Sequence, residues 1–183
     1  SGEAAFYGPK LDIQIRNVHG KEDTLITIQI DFQLAERFGM TYVDADGQTK
    51  YPYVIHRTSL GCYERTLALL IEKYAGALPT WLMPEQVRVL PISDRLHHAA
   101  EKIEEVLSGA GIRVTTDARS EKIGYKIREA QLEKIPYMLV IGDKEVEEGT
   151  VSVRSRREGD LGSMKVEEFL SRILTEIATK AKE

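Results

Sequence analysis

Apolar and polar residues alternate through Leu11-Asp12-Ile13-Gln14-Ile15-Arg16, the pattern of a strand with one buried face. Turn chemistry follows in Asn17-Val18-His19-Gly20, and residues 24–32 read as a second strand, expected to pair with the first as an antiparallel hairpin. Residues 40–43 and 52–57 read as strands flanking Asp44-Ala45-Asp46-Gly47, whose Asp-Gly step signals a turn; residues 35–38 can form a short helical turn. After Gly61 the period changes. Leu67, Leu70, Ile71 and Tyr74 recur at helical spacing, and the helix they predict stops near Gly76. Residues 79–84 carry a proline at each end and predict no regular structure.

The second half reads as strand 86–91, helix 94–109, strand 112–117, helix 123–134, strands 137–141 and 150–156, and a terminal helix 165–182. Asp94 is expected to cap the first of these helices, Gly109 or Gly111 to stop it, and Ser163 to cap the last. Strands alternating with helices imply a mainly parallel sheet covered on both sides. The link at 142–149 is short enough for a hairpin, which makes the expected sheet mixed. The fold class is therefore α/β and α+β: an antiparallel sheet first, a mixed-sheet α/β domain second, with the boundary at 79–84.

Size and charge narrow the function. At 183 residues and 42% hydrophobic content the chain can bury one good core or two small ones. The net charge of −4 argues against a sequence-independent nucleic-acid coat, so RNA contact must come from a local patch. The single cysteine, Cys62, excludes an intramolecular disulfide and fits a reducing cytosol. No apolar run approaches a membrane span, and no signal peptide is visible. The chain opens on Ser1-Gly2 without methionine, and Ala5 leads almost directly into a strand, so this start is expected to be a cut within a longer protein.

Chemistry concentrates first in Ile55-His56-Arg57-Thr58-Ser59-Leu60-Gly61-Cys62-Tyr63-Glu64-Arg65, read as strand, glycine break and helix. A helix N-terminus carries free N–H groups and partial positive charge, and a guanidinium in its first turn can pair with phosphate or stack on a purine. An ordinary strand–helix corner with a solvated arginine reads the same residues equally well. His56 is a lone histidine, and Cys62 has no CxxC or HxxxH companion. Tyr7-Gly8-Pro9-Lys10 joins a turn to a phenol and an ammonium group. In the second half Lys122, Lys126, Arg128 and Lys134 lie in or beside one helix, with Lys144 and Arg154-Ser155-Arg156-Arg157 nearby. Interleaved Glu121, Glu129, Glu133 and Glu147 also fit a solvated charged face. A small nucleotide- or flavin-binding domain is disfavoured, because no Gly-rich loop follows a predicted strand and Gly142-Asp143-Lys144 is expected to enter a hairpin.

These segments resemble the threonyl-tRNA synthetases. Phe6-Tyr7-Gly8-Pro9-Lys10-Leu11-Asp12, Thr27-Ile28-Gln29-Ile30-Asp31-Phe32, the run through Arg65, and Ala75-Gly76-Ala77-Leu78-Pro79-Thr80-Trp81-Leu82 occur in that family's order. So do Lys122-Ile123-Gly124-Tyr125-Lys126-Ile127-Arg128-Glu129 and Gly142-Asp143-Lys144-Glu145-Val146-Glu147. The resemblance implies residues 1–78 as the end of a class II catalytic domain with its third motif, 79–84 as a linker and 85–183 as an anticodon-binding domain. It implies a parent homodimer, cytoplasmic and without membrane contact, that activates threonine with ATP and Mg and esterifies it to tRNA(Thr). The chain itself, lacking the first two motifs, is expected to be inactive in adenylation. Tyr7 would lie against threonine, Lys10 would stabilise negative charge, Gln29 would approach substrate and adenylate, and Arg65 would pack on adenine. His56 would be the last of three zinc ligands, one cysteine and two histidines in the family, so the chain is expected to be metal-poor. Lys122, Arg128, Lys144, Glu145 and Arg154 match positions lining the anticodon loop of the tRNA, and Lys134 stands where the family has an arginine. Thr24, Thr66 and Ser120 depart from the pattern. The alternative implied by the same residues is a stand-alone tRNA- or RNA-binding module without catalysis.

Overall fold

The computed structural model describes residues 5–181. The Ser1-Gly2 start and the last expected helical residue, Lys182, lie outside the described residues. The chain divides into two compact units between Tyr74 and Ala75.

In the first unit the alternating run forms β1 (Lys10–Arg16) and the β-rich run forms β2 (Glu22–Asp31). They pair antiparallel, with a bulge between Ile13 and Gln14. Asn17 makes the turn, its Oδ1 accepting from the amides of His19 and Lys21, each at 3.0 Å. After the one-turn helix α1 (Leu34–Arg37) come β3 (Tyr42–Val43), β4 (Thr49–Lys50), β5 (Val54–Arg57) and helix α2 (Tyr63–Tyr74). The Asp44–Gly47 turn does not join residues 40–43 to 52–57, as the pattern suggested. It closes a two-residue ladder between β3 and β4, tied by Lys50 to Asp44 and Asp46. The long β2 has a free edge, and β5 takes it, giving the antiparallel order β1-β2-β5.

This unit covers its apolar surface poorly. Among its described residues Ala35 is the single buried hydrophobic side chain, whereas Phe6, Val43, Ile55 and Leu67 stand open. The helical stripe predicted on α2 exists, yet no residue of α2 is buried.

The second unit holds β6 (Val87–Pro91), α3 (His97–Gly109), β7 (Val114–Thr116), α4 (Ile123–Leu132), β8 (Tyr137–Ile141), α5 (Asp143–Glu148), β9 (Thr150–Ser155), β10 (Gly159–Lys165) and α6 (Val166–Thr179). The sheet order is β10-β9-β8-β6-β7, parallel between β6 and its neighbours β7 and β8 and antiparallel beyond β8. Period-2 alternation sorts its side chains. Val87, Val89, Leu139, Val151 and Val153 pack with Ala100 and Leu107 of α3 and Phe169 and Ile173 of α6. On the other face Leu90 and Met138 pack with Ala130 of α4.

Three local expectations need correction. The 142–149 link is helix α5, because the Gly142 amide donates to Glu145 Oε2 at 2.9 Å and Gly149 ends the helix at φ +64°. Gly142 therefore leads into a helix and not a hairpin, although nothing around it forms a Gly-rich loop. Ser163 lies inside β10, and α6 begins at Val166. Asp94 opens a 3₁₀ turn after Ser93, and its carboxylate is taken by the Ser120 hydroxyl, 2.6 Å away. Of the two glycines expected to stop α3, Gly111 takes the left-handed conformation, φ +85°.

Residues 78–83 are irregular and form part of the second unit. Arg113 donates to the carbonyls of Met83 and Trp81, and Arg156 to that of Leu78. At the same end, burial and the Glu176 carboxylate, accepting from its hydroxyl at 2.6 Å, push the Tyr137 phenol up to about 12. A raised phenol contributes stability that is complete below its ordinary value of 10 and is lost as pH rises through 12. Thermal unfolding of the wild-type chain is expected to weaken across that window, and Tyr137→Phe to flatten the decline. An unchanged slope in the variant rejects the assignment.

Candidate functional site

Lys10, Gln29 and His56 are Cα partners in one row across β1, β2 and β5, so the register places them on one face of the sheet. Tyr7 joins them from the preceding turn, its hydroxyl 3.2 Å from Gln29 Oε1 and its ring edge-on to Phe6 at 5.1 Å. Close backbone approach fixes that turn. Phe32 N donates to Tyr7 O and Ile30 N to Pro9 O, and a Cβ on Gly8 would lie 1.9 Å from Ile30 O. The Lys10 ammonium is paired with Asp12 at 2.7 Å, and Asp12 is held below the usual carboxylate range by Lys10 and then by the Thr27 hydroxyl.

Asp31 escaped the sequence reading. It is buried, and its Oδ2 lies 3.4 Å from His56 Nε2. Burial raises its pKa, but the amides of Leu34 and Gln33, followed by His56, outweigh that and hold it low. Its signal was available, since Gln29 and Asp31 alternate onto one face of β2. His56, Asp31, Tyr7, Gln33 and Arg37 line a hollow of about 310 Å³. A zinc site needs three protein ligands. Among the described residues no group of three His, Cys, Asp or Glu side chains could hold a metal ion, so His56 with Asp31 does not by itself fit zinc.

Arg65 stands in the first turn of α2, exposed, with Nη1 3.3 Å from the carbonyl of Thr24. Gly61 allows the preceding bend at φ +67°, and a Cβ there would meet Leu25 O at 2.6 Å. Arg65 therefore lies beside β2, on which Gln29 also stands.

In the second unit the C-terminal ends of β6, β7 and β8 converge, and the loops leaving them form a mouth. Ser93, Asp94, Arg95, Ser120, Lys122 and Lys126 line a hollow of about 520 Å³ there. Asp143 at the start of α5 binds Arg95 at 2.5 Å, which brings the neighbouring Lys144 and Glu145 to the same end of the sheet. Lys144 pairs weakly with Glu148, 4.0 Å away. Arg128 is exposed on α4, and Arg154 lies within β9, 3.9 Å from Asp160. Lys134 is set apart: it follows α4, roughly 18 Å along the helix from Lys122. It adopts φ +64° to end the helix, and its carbonyl accepts from Arg156. Asp94 and Arg95 were missed in the sequence; their position just past a strand of a parallel sheet was the available signal.

The comparisons with known proteins agree with both halves of this architecture. Residues 1–74 match the tRNA synthetase class II core domain family (G, H, P, S and T), and residues 86–176 match the anticodon binding domain family. The chain is thus a class II aminoacyl-tRNA synthetase segment with its anticodon-binding domain. It is 65% identical over 178 residues to a threonine–tRNA ligase of Clostridium perfringens strain SM101, and 55% identical over 180 residues to that of Caldanaerobacter subterraneus. A crystal structure of the RNA binding domain of threonyl-tRNA synthetase from Cryptosporidium parvum superposes with a TM-score of 0.85 at 36% identity, covering 96% of this chain and 44% of that one. The chain belongs to the threonyl-tRNA synthetase family, as its C-terminal region, the class II core tail plus the anticodon-binding domain. The match takes in 97% of this chain but 28% of the length of the Clostridium relative. Among the described residues no helix is long and apolar enough to cross a membrane.

Proposed function

We propose that this chain is the anticodon-reading and partial adenylate-binding portion of a cytoplasmic threonine–tRNA ligase. The observation that carries the reading is the mouth of the second unit, where Arg95, Lys122, Lys144 and Glu145 gather at the ends of three neighbouring strands. Positive side chains there would hold the phosphates of an RNA loop, and a carboxylate repels phosphate while accepting from a base N–H. Arg128 would extend this surface along α4, whereas Arg154, paired with Met138 near the start of β8, lies toward the other end of the sheet. Lys134 would contribute at most through long-range charge, given its place at the other end of α4.

In the parent enzyme, on this reading a homodimer, ATP with Mg would supply the adenylyl group that the threonine carboxylate takes, with pyrophosphate leaving. This chain's residues bind and orient: Arg65 stacks on the adenine, Gln29 with Tyr7 hydrogen-bonds the threonyl group, and Lys10 moves from Asp12 to developing negative charge. His56 would be one of three zinc ligands, the other two lying in the part of the enzyme beyond this chain. The exposed apolar face of the first unit supports the same reading, since a larger core would cover it.

A hairpin RNA carrying the threonine anticodon is expected to bind the isolated chain more tightly than one with a scrambled loop, by fluorescence anisotropy at low salt. Equal binding of the two rejects the reading. In ATP–pyrophosphate exchange the isolated chain is expected to show no threonine-dependent turnover, because its residues include no arginine clamp for the α-phosphate from the second motif. Threonine-dependent exchange above blank overturns that part.

A further inference from the structure

Lys126 is among the largest side chains that are fully buried, and it is charged. At 2% exposure its ammonium donates to the carbonyl of Pro91, the last residue of β6, at 3.2 Å, and to that of Asp117, just past β7, at 2.9 Å. An ammonium has three donors, and among the described residues the third has no acceptor. Among the described residues no carboxylate hydrogen-bonds it; the Asp117 carboxylate, which its charge helps to hold below the usual range, is taken by Arg119.

Burying an ammonium without a bonded counterion is costly, and a methionine would fill a similar volume without that cost. What Lys126 achieves and methionine cannot is to tie two strand ends together from below. The loops leaving those ends, 92–96 and 117–122, are also clipped from above by Ser120 to Asp94. The hollow at these loops is lined by Arg95, Ser120 and Lys122 together with Lys126.

We propose that Lys126 is the positioning residue of the RNA-reading mouth: it fixes the two loops at the spacing an unstacked base requires, without touching RNA. The inference rests on the anticodon reading above. A loop pair that is competent only part of the time lowers apparent affinity by that fraction, while the cations that meet phosphate remain the same in number.

The test compares Lys126→Met with the unmodified 183-residue chain, using the threonine-anticodon hairpin and its scrambled-loop control over a salt series. Affinity of the variant for the cognate hairpin is expected to fall about tenfold. The salt slope should stay unchanged, whereas removal of one phosphate-binding cation flattens it by about 0.7 to 0.9. Hydrogen exchange should quicken in 92–96 and 117–122 and stay unchanged in β9 and α6. Unaltered cognate affinity, or a flattened slope, overturns the proposal. Should the variant not fold, the unmodified chain decides: the ¹⁵N-edited Lys126 ammonium signal is expected to remain protected from solvent before and after RNA is added, with no coupling to ³¹P. Rapid exchange or a phosphorus coupling overturns it. If the unmodified chain fails to distinguish the two hairpins, the anticodon reading itself falls.

Discussion

Phe169→Ala is expected to destabilise the second unit by about 3–5 kcal/mol, the cost of deleting a fully buried ring and leaving a cavity. Phe169 of α6 is fully buried in the larger core cluster, and its ring meets Tyr137 edge-on at 5.4 Å. Domains of this size are stable by about 5–15 kcal/mol, so the variant keeps little margin. Urea unfolding followed by Trp81 fluorescence should show a lower midpoint with the same slope. RNA binding should disappear at the temperature where the variant melts, although Phe169 lies far from the mouth in sequence. A shift below about 1 kcal/mol contradicts the packing described for α6.

The second large effect separates two roles at the mouth. Glu145→Ala is expected to lose about 1–3 kcal/mol of discrimination between cognate and altered loops, because a base-edge contact carries sequence information. Lys122→Ala should weaken all hairpins alike and flatten the salt dependence. Glu145→Ala also uncaps α5, since Oε2 accepts from the Gly142 amide. Glu145→Gln separates the two effects: its amide oxygen can still accept from Gly142, while the charge that excludes phosphate is gone. Equal losses for cognate and altered hairpins in both Glu145→Ala and Lys122→Ala remove the division of roles.

Much of this architecture was legible because patterning and turn chemistry agreed. The β1–β2 hairpin, α2, β6, α4 and β8 follow from alternation or helical spacing alone. The strand β10 was invisible, since Gly159 and Gly162 at φ +79° and +78° and a bulge at Asp160 break its alternation. The helix α5 was mistaken for a turn because six residues between two glycines are too few for a period to show; the Gly142-to-Glu145 spacing was the overlooked signal. For the candidate site, the row Lys10–Gln29–His56 depends on register, which a sequence implies only once the strands are correctly paired. Asp31 behind His56 and Arg95 against Asp143 are contacts between distant segments and leave no local mark. Lys126 gave the opposite lesson: grouped with surface cations in the sequence, it is buried and bonded only to carbonyls.

The cap that orients Glu145 also sets a ceiling on what it can recognise. With Oε2 already accepting from its own helix, Oε1 is the oxygen that keeps both lone pairs for a guest. On the anticodon reading proposed above, a nucleobase presenting two adjacent donors would be gripped less well than by a free carboxylate, so selectivity at that spot would rest mainly on one proton. On that reading, fidelity at the remaining letters of the triplet would be shared among the neighbouring cations and the shape of the opening.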